Sequence, residues 1–201
     1  VLTDFINTGV YDANRDFYKT TSPSMDILIS SNLERLLLEL AKGDCSRVRR
    51  WMEELRENGR YDVGAACLKT MRETFAGGCA DDEKTRAALR NVWRTEGYLM
   101  DPHTAVASYV LKQYREETGD HTPAVILSTA SPYKFSESVL ASLQGAENVK
   151  GLDAFQCAEK LEELSGVPVP RQIRELQTLP IRHKRVCEVS GMEEALMEEW
   201  K

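Results

Sequence analysis

Apolar positions recur along this chain at helical rather than strand spacing. Leu33, Leu36, Leu37 and Leu40 stand at i, i+3, i+4 and i+7, with Gly43 placed to end the segment. Val48, Trp51, Met52 and Leu55 repeat the pattern before Gly59, which predicts a helical hairpin with one apolar stripe per arm. Ala88, Leu89, Val92 and Trp93 predict a helix over about 82 to 96, started at Asp81-Asp82 and stopped at Gly97. Asp101-Pro102 opens another helix, because Asp caps free N–H groups and Pro fits a first turn that has no intrahelical use for its N–H. Val106, Tyr109 and Val110 form its inward face.

Two or three strands are expected, of which two stretches can be named. Ala124-Val125-Ile126-Leu127 is a short, wholly apolar run of the kind covered on both faces of a parallel sheet, and Glu73 to Gly77 is a weaker candidate. The first breaks into Ser128-Thr129-Ala130-Ser131-Pro132, where Ser131-Pro132 repeats the cap-then-proline signature and Phe135, Val139 and Leu143 continue as a helix face. Residues 1 to 24 lack periodicity and read as a loop-rich approach to the first helix. After Gly145 the pattern suggests a helical tail: Phe155, Ala158 and Leu161 carry one helix, and Gly166-Val167-Pro168-Val169-Pro170 breaks it. Ser190 and Glu193 have capping-box spacing ahead of a last stripe of Met192, Ala195, Leu196 and Trp200. The expected division is therefore 1–145 as a main region and 146–201 as the tail.

Composition narrows the function. The 201 residues hold 26 Lys plus Arg against 32 Asp plus Glu, a formal charge of −6, which argues against a general nucleic-acid binder. The basic cluster Arg182-His183-Lys184-Arg185 is short and lacks interleaved aromatics, so it reads as a solvated face. No apolar run approaches the roughly 18 residues of a membrane span. Cys45, Cys67, Cys79, Cys157 and Cys187 are scattered, with no metal-ligand spacing, and read as reduced thiols of a cytoplasmic protein. The start at Val1, with no Met and no secretory leader, reads as the middle of a longer protein.

No self-contained catalytic motif is present: there is no P-loop, G-x-G-x-x-G, H-E-x-x-H or G-x-S-x-G. The strand-to-helix turn from Ser128 to Pro132 is the best candidate, since ligands of open α/β sheets sit beyond the strand ends and near following helix N-termini. Its hydroxyls at Ser128, Thr129 and Ser131 could address a ligand or simply satisfy local backbone. His103 falls in the first turn of its helix, where the dipole opposes positive charge, and suits either a ligand contact or packing. Ser22-Pro23-Ser24-Met25-Asp26 is a further cap-like start, rich in hydroxyls, where Ser24 and Asp26 are candidates to meet an anion or simply to cap a helix.

Four strings together carry a resemblance: VLTDFINTGVYD from Val1 to Asp12, SPSMDILISSNLERLL from Ser22 to Leu37, DPHTAVA from Asp101 to Ala107 and LSTASPYKF from Leu127 to Phe135. In this order they resemble the threonine synthase family. The resemblance implies an α/β, tryptophan-synthase-beta-like fold, mostly helical over this portion. It also implies pyridoxal 5′-phosphate as cofactor and the conversion of O-phospho-L-homoserine and water to L-threonine and phosphate. It places the hydroxyl that hydrogen-bonds the cofactor's pyridine nitrogen at Thr129, with Ser128 and Ser131 as neighbours, and Ser131 stands where many relatives carry His. The family's Schiff-base lysine and Gly-Asn-Phe-Gly phosphate loop lie before the segment matching Val1. The chain is thus expected to be a C-terminal fragment, inactive alone, with no catalytic residue of its own and with apolar surface through which it self-associates. The competing expectation is a non-catalytic helical interaction module built on the same scaffold.

Overall fold

The computed structural model describes residues 1–200, and the chain divides into two compact units, Val1–Val169 and Pro170–Lys201. The first unit runs α1 (Leu2–Thr8), β1 (Val10–Asp12), a 3-10 turn at Pro23–Met25, α2 (Leu33–Leu40), α3 (Cys45–Asn58), β2 (Arg60–Asp62) and α4 (Gly64–Arg72). It continues through α5 (Asp82–Glu96), α6 (Pro102–Thr118), a 3-10 turn at Pro132–Phe135, α7 (Ser136–Gln144) and α8 (Ala154–Ser165). The second unit holds α9 (Arg171–Leu176) and α10 (Met192–Glu199).

Four helices are bracketed by the same pair of residue types. Asp44, Asp81, Asp101 and Asp153 cap the N-termini of α3, α5, α6 and α8 through side-chain oxygens, while Gly59, Gly97, Gly119 and Gly166 close them in the left-handed conformation. An aspartate suits the start because it accepts N–H groups that have no intrahelical partner, and its charge complements the helix dipole. Glycine suits the end because it has no Cβ to clash at positive φ.

β1 and β2 pair antiparallel, with Tyr11 opposite Tyr61. Their rings stack at 5.2 Å between centroids, Phe5 of α1 meets both edge-on at 5.8 Å, and Trp51 of α3 lies 6.3 Å from Tyr61. Leu37, Val63 and Met71 fill the space around these rings. Each such buried side chain contributes roughly 1.5–3 kcal/mol, and aromatic pairs add about 0.5–1.5 kcal/mol beyond their area. Toward the other end of the unit, α5, α6, α7 and α8 pack together over buried Leu89, Ala105, Val139, Leu140 and Leu161. Residues 146–169 join this packing: the Ser136 hydroxyl donates to the Ala154 carbonyl at 2.7 Å, and the Tyr133 hydroxyl donates to the Val167 carbonyl.

Several expectations are corrected. Residues 1 to 24 are not simply a loop, because Leu2, Phe5 and Ile6 form a short amphipathic face over the aromatic cluster and the chain then enters β1. Ala124–Leu127 is not a paired strand; no strand lies beside it among the described residues, and Val125 and Leu127 are 87% and 74% exposed. Residues 73 to 77 leave α4 as a turn and then irregular chain. The capping box at Ser190 does not form, since Val189–Gly191 is a 3-10 turn and Gly191 precedes α10; the capping box that does form joins Asp153 and Gln156. Met192, Leu196 and Trp200 are exposed, Trp200 at 88%.

Two measurements test this core. Burial raises the phenol pKa of Tyr61, with the Tyr11 phenol adding to the effect, and burial likewise raises that of Tyr11 against the lowering hydrogen bond from Ser30. Both protons are held more tightly folded than unfolded, so this stability is complete below about pH 10 and is lost as pH rises through the folded values. Urea unfolding is expected to weaken above about pH 10, and Tyr61→Phe to flatten that loss. Gly59 has φ +68°, and a Cβ there would stand 2.3 Å from Asn14 Oδ1. Gly59→Ala is therefore expected to lower unfolding free energy by about 1–2 kcal/mol, read from the urea midpoint.

Candidate functional site

Two segments distant in sequence, one carrying Ser24 and one carrying Ser128 and Phe135, converge on the N-terminus of α6. Asp101, fully buried, accepts the His103 backbone N–H at Oδ1 over 2.9 Å, and the His103 ring Nδ1 lies 2.8 Å from the same oxygen. The Thr104 hydroxyl donates to Asp101 Oδ2. A buried carboxylate is tolerated only when its oxygens are fully engaged, and here the helix dipole adds to these donors. His103 Nε2 accepts the backbone N–H of Ser24 at 3.2 Å, and Phe135 packs edge-on against the imidazole at 4.9 Å between centroids. The Thr104 and Ser128 hydroxyls are 3.3 Å apart.

The segment carrying Ser24 is pinned at several further points. Asp26 accepts both the Thr20 N–H at 2.6 Å and the Thr20 hydroxyl at 2.8 Å. Asp82, at the start of α5, accepts the Thr21 N–H at 2.9 Å and its hydroxyl at 3.0 Å. The Tyr11 hydroxyl donates to the Leu28 carbonyl and accepts the Ser30 N–H. Ser22 is buried but caps nothing; its hydroxyl meets that of Thr20 at 3.1 Å. Beside this segment opens a cleft of about 560 Å³ whose polar lining includes Arg15, Thr20, Ser22, Ser24 and Asp26. Arg15 is paired with Asp4 at 2.6 Å, which raises its pKa, so its charge is balanced locally.

The candidates thus fall into two groups. Ser24, His103 and Ser128 belong to one hydrogen-bonded chain, whereas Asp26 braces its own loop at the cleft. Ser131 caps the 3-10 turn by accepting the Tyr133 N–H at 3.3 Å. Thr129 is exposed, and its hydroxyl makes no hydrogen bond among the described residues. Of the three hydroxyls in the turn, it is the one with no partner. Lys134, which follows the turn, is exposed. Sequence reasoning missed Asp101 as more than a cap, and missed Thr104; the signal was the sequence Asp-Pro-His-Thr itself, which places three polar side chains around one helix start. Among the described residues no cluster of three or more His, Cys, Asp or Glu could hold a metal, and no helix is long and apolar enough to cross a membrane.

Residues 104–197 match the family model "Threonine synthase, C-terminal". The chain is homologous to the threonine synthases. Threonine synthase of Eremothecium gossypii is 36% identical over 162 aligned residues, covering 74% of this chain and 32% of that protein. Human threonine synthase-like 1 is 36% identical over 145 residues, covering 72% and 19%. The structure of yeast threonine synthase aligns with 99% of this chain and 40% of its own, at TM-score 0.78 and 27% identity. The pyridoxal-phosphate-bound threonine synthase of Brucella melitensis aligns with 78% of this chain and 32% of its own, at TM-score 0.64 and 38% identity. The chain therefore spans about a third or less of the curated relatives it matches, and its fold is that of the corresponding part of these α/β enzymes.

The convergence on α6 makes Asp101 critical to stability. Asp101→Ala leaves the His103 and Thr104 donors without their acceptor in a dry site and is expected to cost about 2–4 kcal/mol. Asp101→Asn, which keeps the shape and an acceptor oxygen, is expected to cost less than half of that, as read from thermal and urea unfolding.

Proposed function

We propose that this chain supplies the C-terminal part of a threonine synthase, a cytoplasmic lyase that converts O-phospho-L-homoserine and water to L-threonine and phosphate. What carries the reading is the alignment with yeast threonine synthase over 99% of the chain. The main catalytic region is assigned to residues 1–145, with 146–201 as its helical extension. The reading involves small-molecule substrate and cofactor, with no part for nucleic acid or membrane.

The Brucella relative binds pyridoxal phosphate, and we extend that cofactor to the enzyme of which this chain is part. When bound, the cofactor supplies the electron sink for loss of phosphate and addition of water. The residues at the 128–131 turn fit it: an exposed, unpaired Thr129 hydroxyl suits a neutral ring nitrogen, where a carboxylate would instead hold a protonated one. Thr129 is assigned to the ring nitrogen, with Ser128 and Ser131 shaping the turn around it. Ser24, Asp26 and His103 are assigned to the substrate side, where Ser22, Ser24, Met25 and Asp26 line the cleft and His103 accepts the Ser24 N–H. No catalytic residue is assigned within the chain. Lys134 is the lysine nearest the turn in sequence, and its exposed position suits solvent rather than a reacting atom. On this reading the 201 residues alone are inactive and associate through uncovered apolar surface such as Val125 and Leu127.

The second reading is a non-catalytic helical interaction module built on the same scaffold. A chimaera separates the two. Replacing the aligned C-terminal part of yeast threonine synthase with this chain is expected to give pyridoxal phosphate absorbance and phosphate release from O-phospho-L-homoserine. A folded chimaera with neither would favour the module. In the active chimaera, Thr129→Val is expected to lower turnover roughly tenfold or more, the worth of one hydrogen bond in a dry site, and to shift the cofactor spectrum; an unchanged spectrum would remove Thr129 from the site.

A further inference from the structure

We propose that Asp101 is a positioning residue that orders both sides of the site at once: through His103 it holds the Ser24 turn, and through Thr104 it holds the Ser128–Thr129 turn. The proposal rests on the reading of the 128–131 turn as the cofactor wall, although its test does not require the cofactor.

Proton counting gives the direction of each arm. An ionised carboxylate only accepts, so the 2.8 Å contact between Asp101 Oδ1 and His103 Nδ1 needs the proton on Nδ1. The opposite nitrogen, Nε2, faces the N–H of Ser24 at 3.2 Å, and a backbone N–H only donates. Nε2 must therefore present a lone pair, and the imidazole is neutral in the Nδ1–H form. Asp101 thereby turns His103 into a fixed acceptor that holds the main chain at the edge of the cleft.

The second arm follows from Thr104 having a single hydroxyl proton. Its oxygen lies between Asp101 Oδ2 and Ser128 Oγ, the latter at 3.3 Å. The charged acceptor takes the larger share of that proton, and Ser128 Oγ accepts the longer, weaker branch. Ser128 accepts from Thr104, and Ser131 accepts from Tyr133 N–H. Thr129 keeps a hydroxyl proton free for a ligand. Among the described residues the Thr104 contact is the one side-chain hydrogen bond that ties residues 124–130 to the helices, so loss of Thr104 should loosen the turn without touching Ser24.

The two arms can be cut separately in the 201-residue chain, labelled for nuclear magnetic resonance. In the native chain the His103 ring should show a pyrrole-type Nδ1 and a pyridine-type Nε2, and the Ser24 amide should exchange slowly. Thr104→Val should lower the backbone order of Ser128 and Thr129 and leave Ser24 unchanged. His103→Phe, which keeps the main-chain cap, should speed Ser24 exchange about tenfold and leave Ser128 and Thr129 unchanged. Asp101→Ala, which removes both acceptor oxygens, should do both in a folded chain. A protonated Nε2, a Thr104→Val variant with an unaltered turn, or a His103→Phe variant that loosens both sides equally would each overturn the proposal. If Asp101→Ala does not fold, the other two variants and the native ring signature still decide it. Failure here with an active chimaera would sink the positioning role alone, whereas an inactive chimaera with these results intact would sink the cofactor reading alone.

Discussion

A carboxylate with no exposure to water organises this molecule. Removing Asp101 from solvent is costly unless every oxygen is engaged, and the start of α6 is where a folded chain can engage them: a free main-chain N–H, a positive dipole end, and side chains at the second and third positions that reach back. Pro102 helps by fixing the first turn without contributing an N–H that would need a partner. The same contacts that satisfy the charge extend outward, so the stabilising feature and the arrangement of the candidate site are one network. That is why residues separated by 24 and 79 positions in the chain stand within hydrogen-bond reach.

Helices with an aspartate before them and a glycine after them were legible from residue order alone. The segment 82–96 is read from sequence with the bounds the structure gives, because its start and stop are both set by local chemistry. The start of α6 is legible for the same reason. What sequence could not supply was long-range pairing. Val10–Asp12 and Arg60–Asp62 are too short to show alternation, and they become strands because Phe5, Trp51 and their own tyrosines close over one face. At the site, His103 and the hydroxyls of the turn were visible as candidates, whereas the link through Thr104 depends on a tertiary approach that no local spacing encodes.

The run Ala124–Leu127 shows the converse case. Its composition is that of a strand covered on both faces, yet a strand is defined by what lies beside it, and no ladder partner stands there among the described residues. Two large apolar side chains consequently face solvent in a segment that leads directly into the Ser128–Pro132 turn. The turn is held instead from its other side, by the Ser131 cap, by Tyr133 reaching the Val167 carbonyl, and by Phe135 against His103. The turn is therefore anchored through α6 and the Val167 carbonyl, while the apolar run that leads into it has no cover among the described residues. The shape of the turn is thus set by α6 and by contacts that follow it in sequence, not by the apolar run before it.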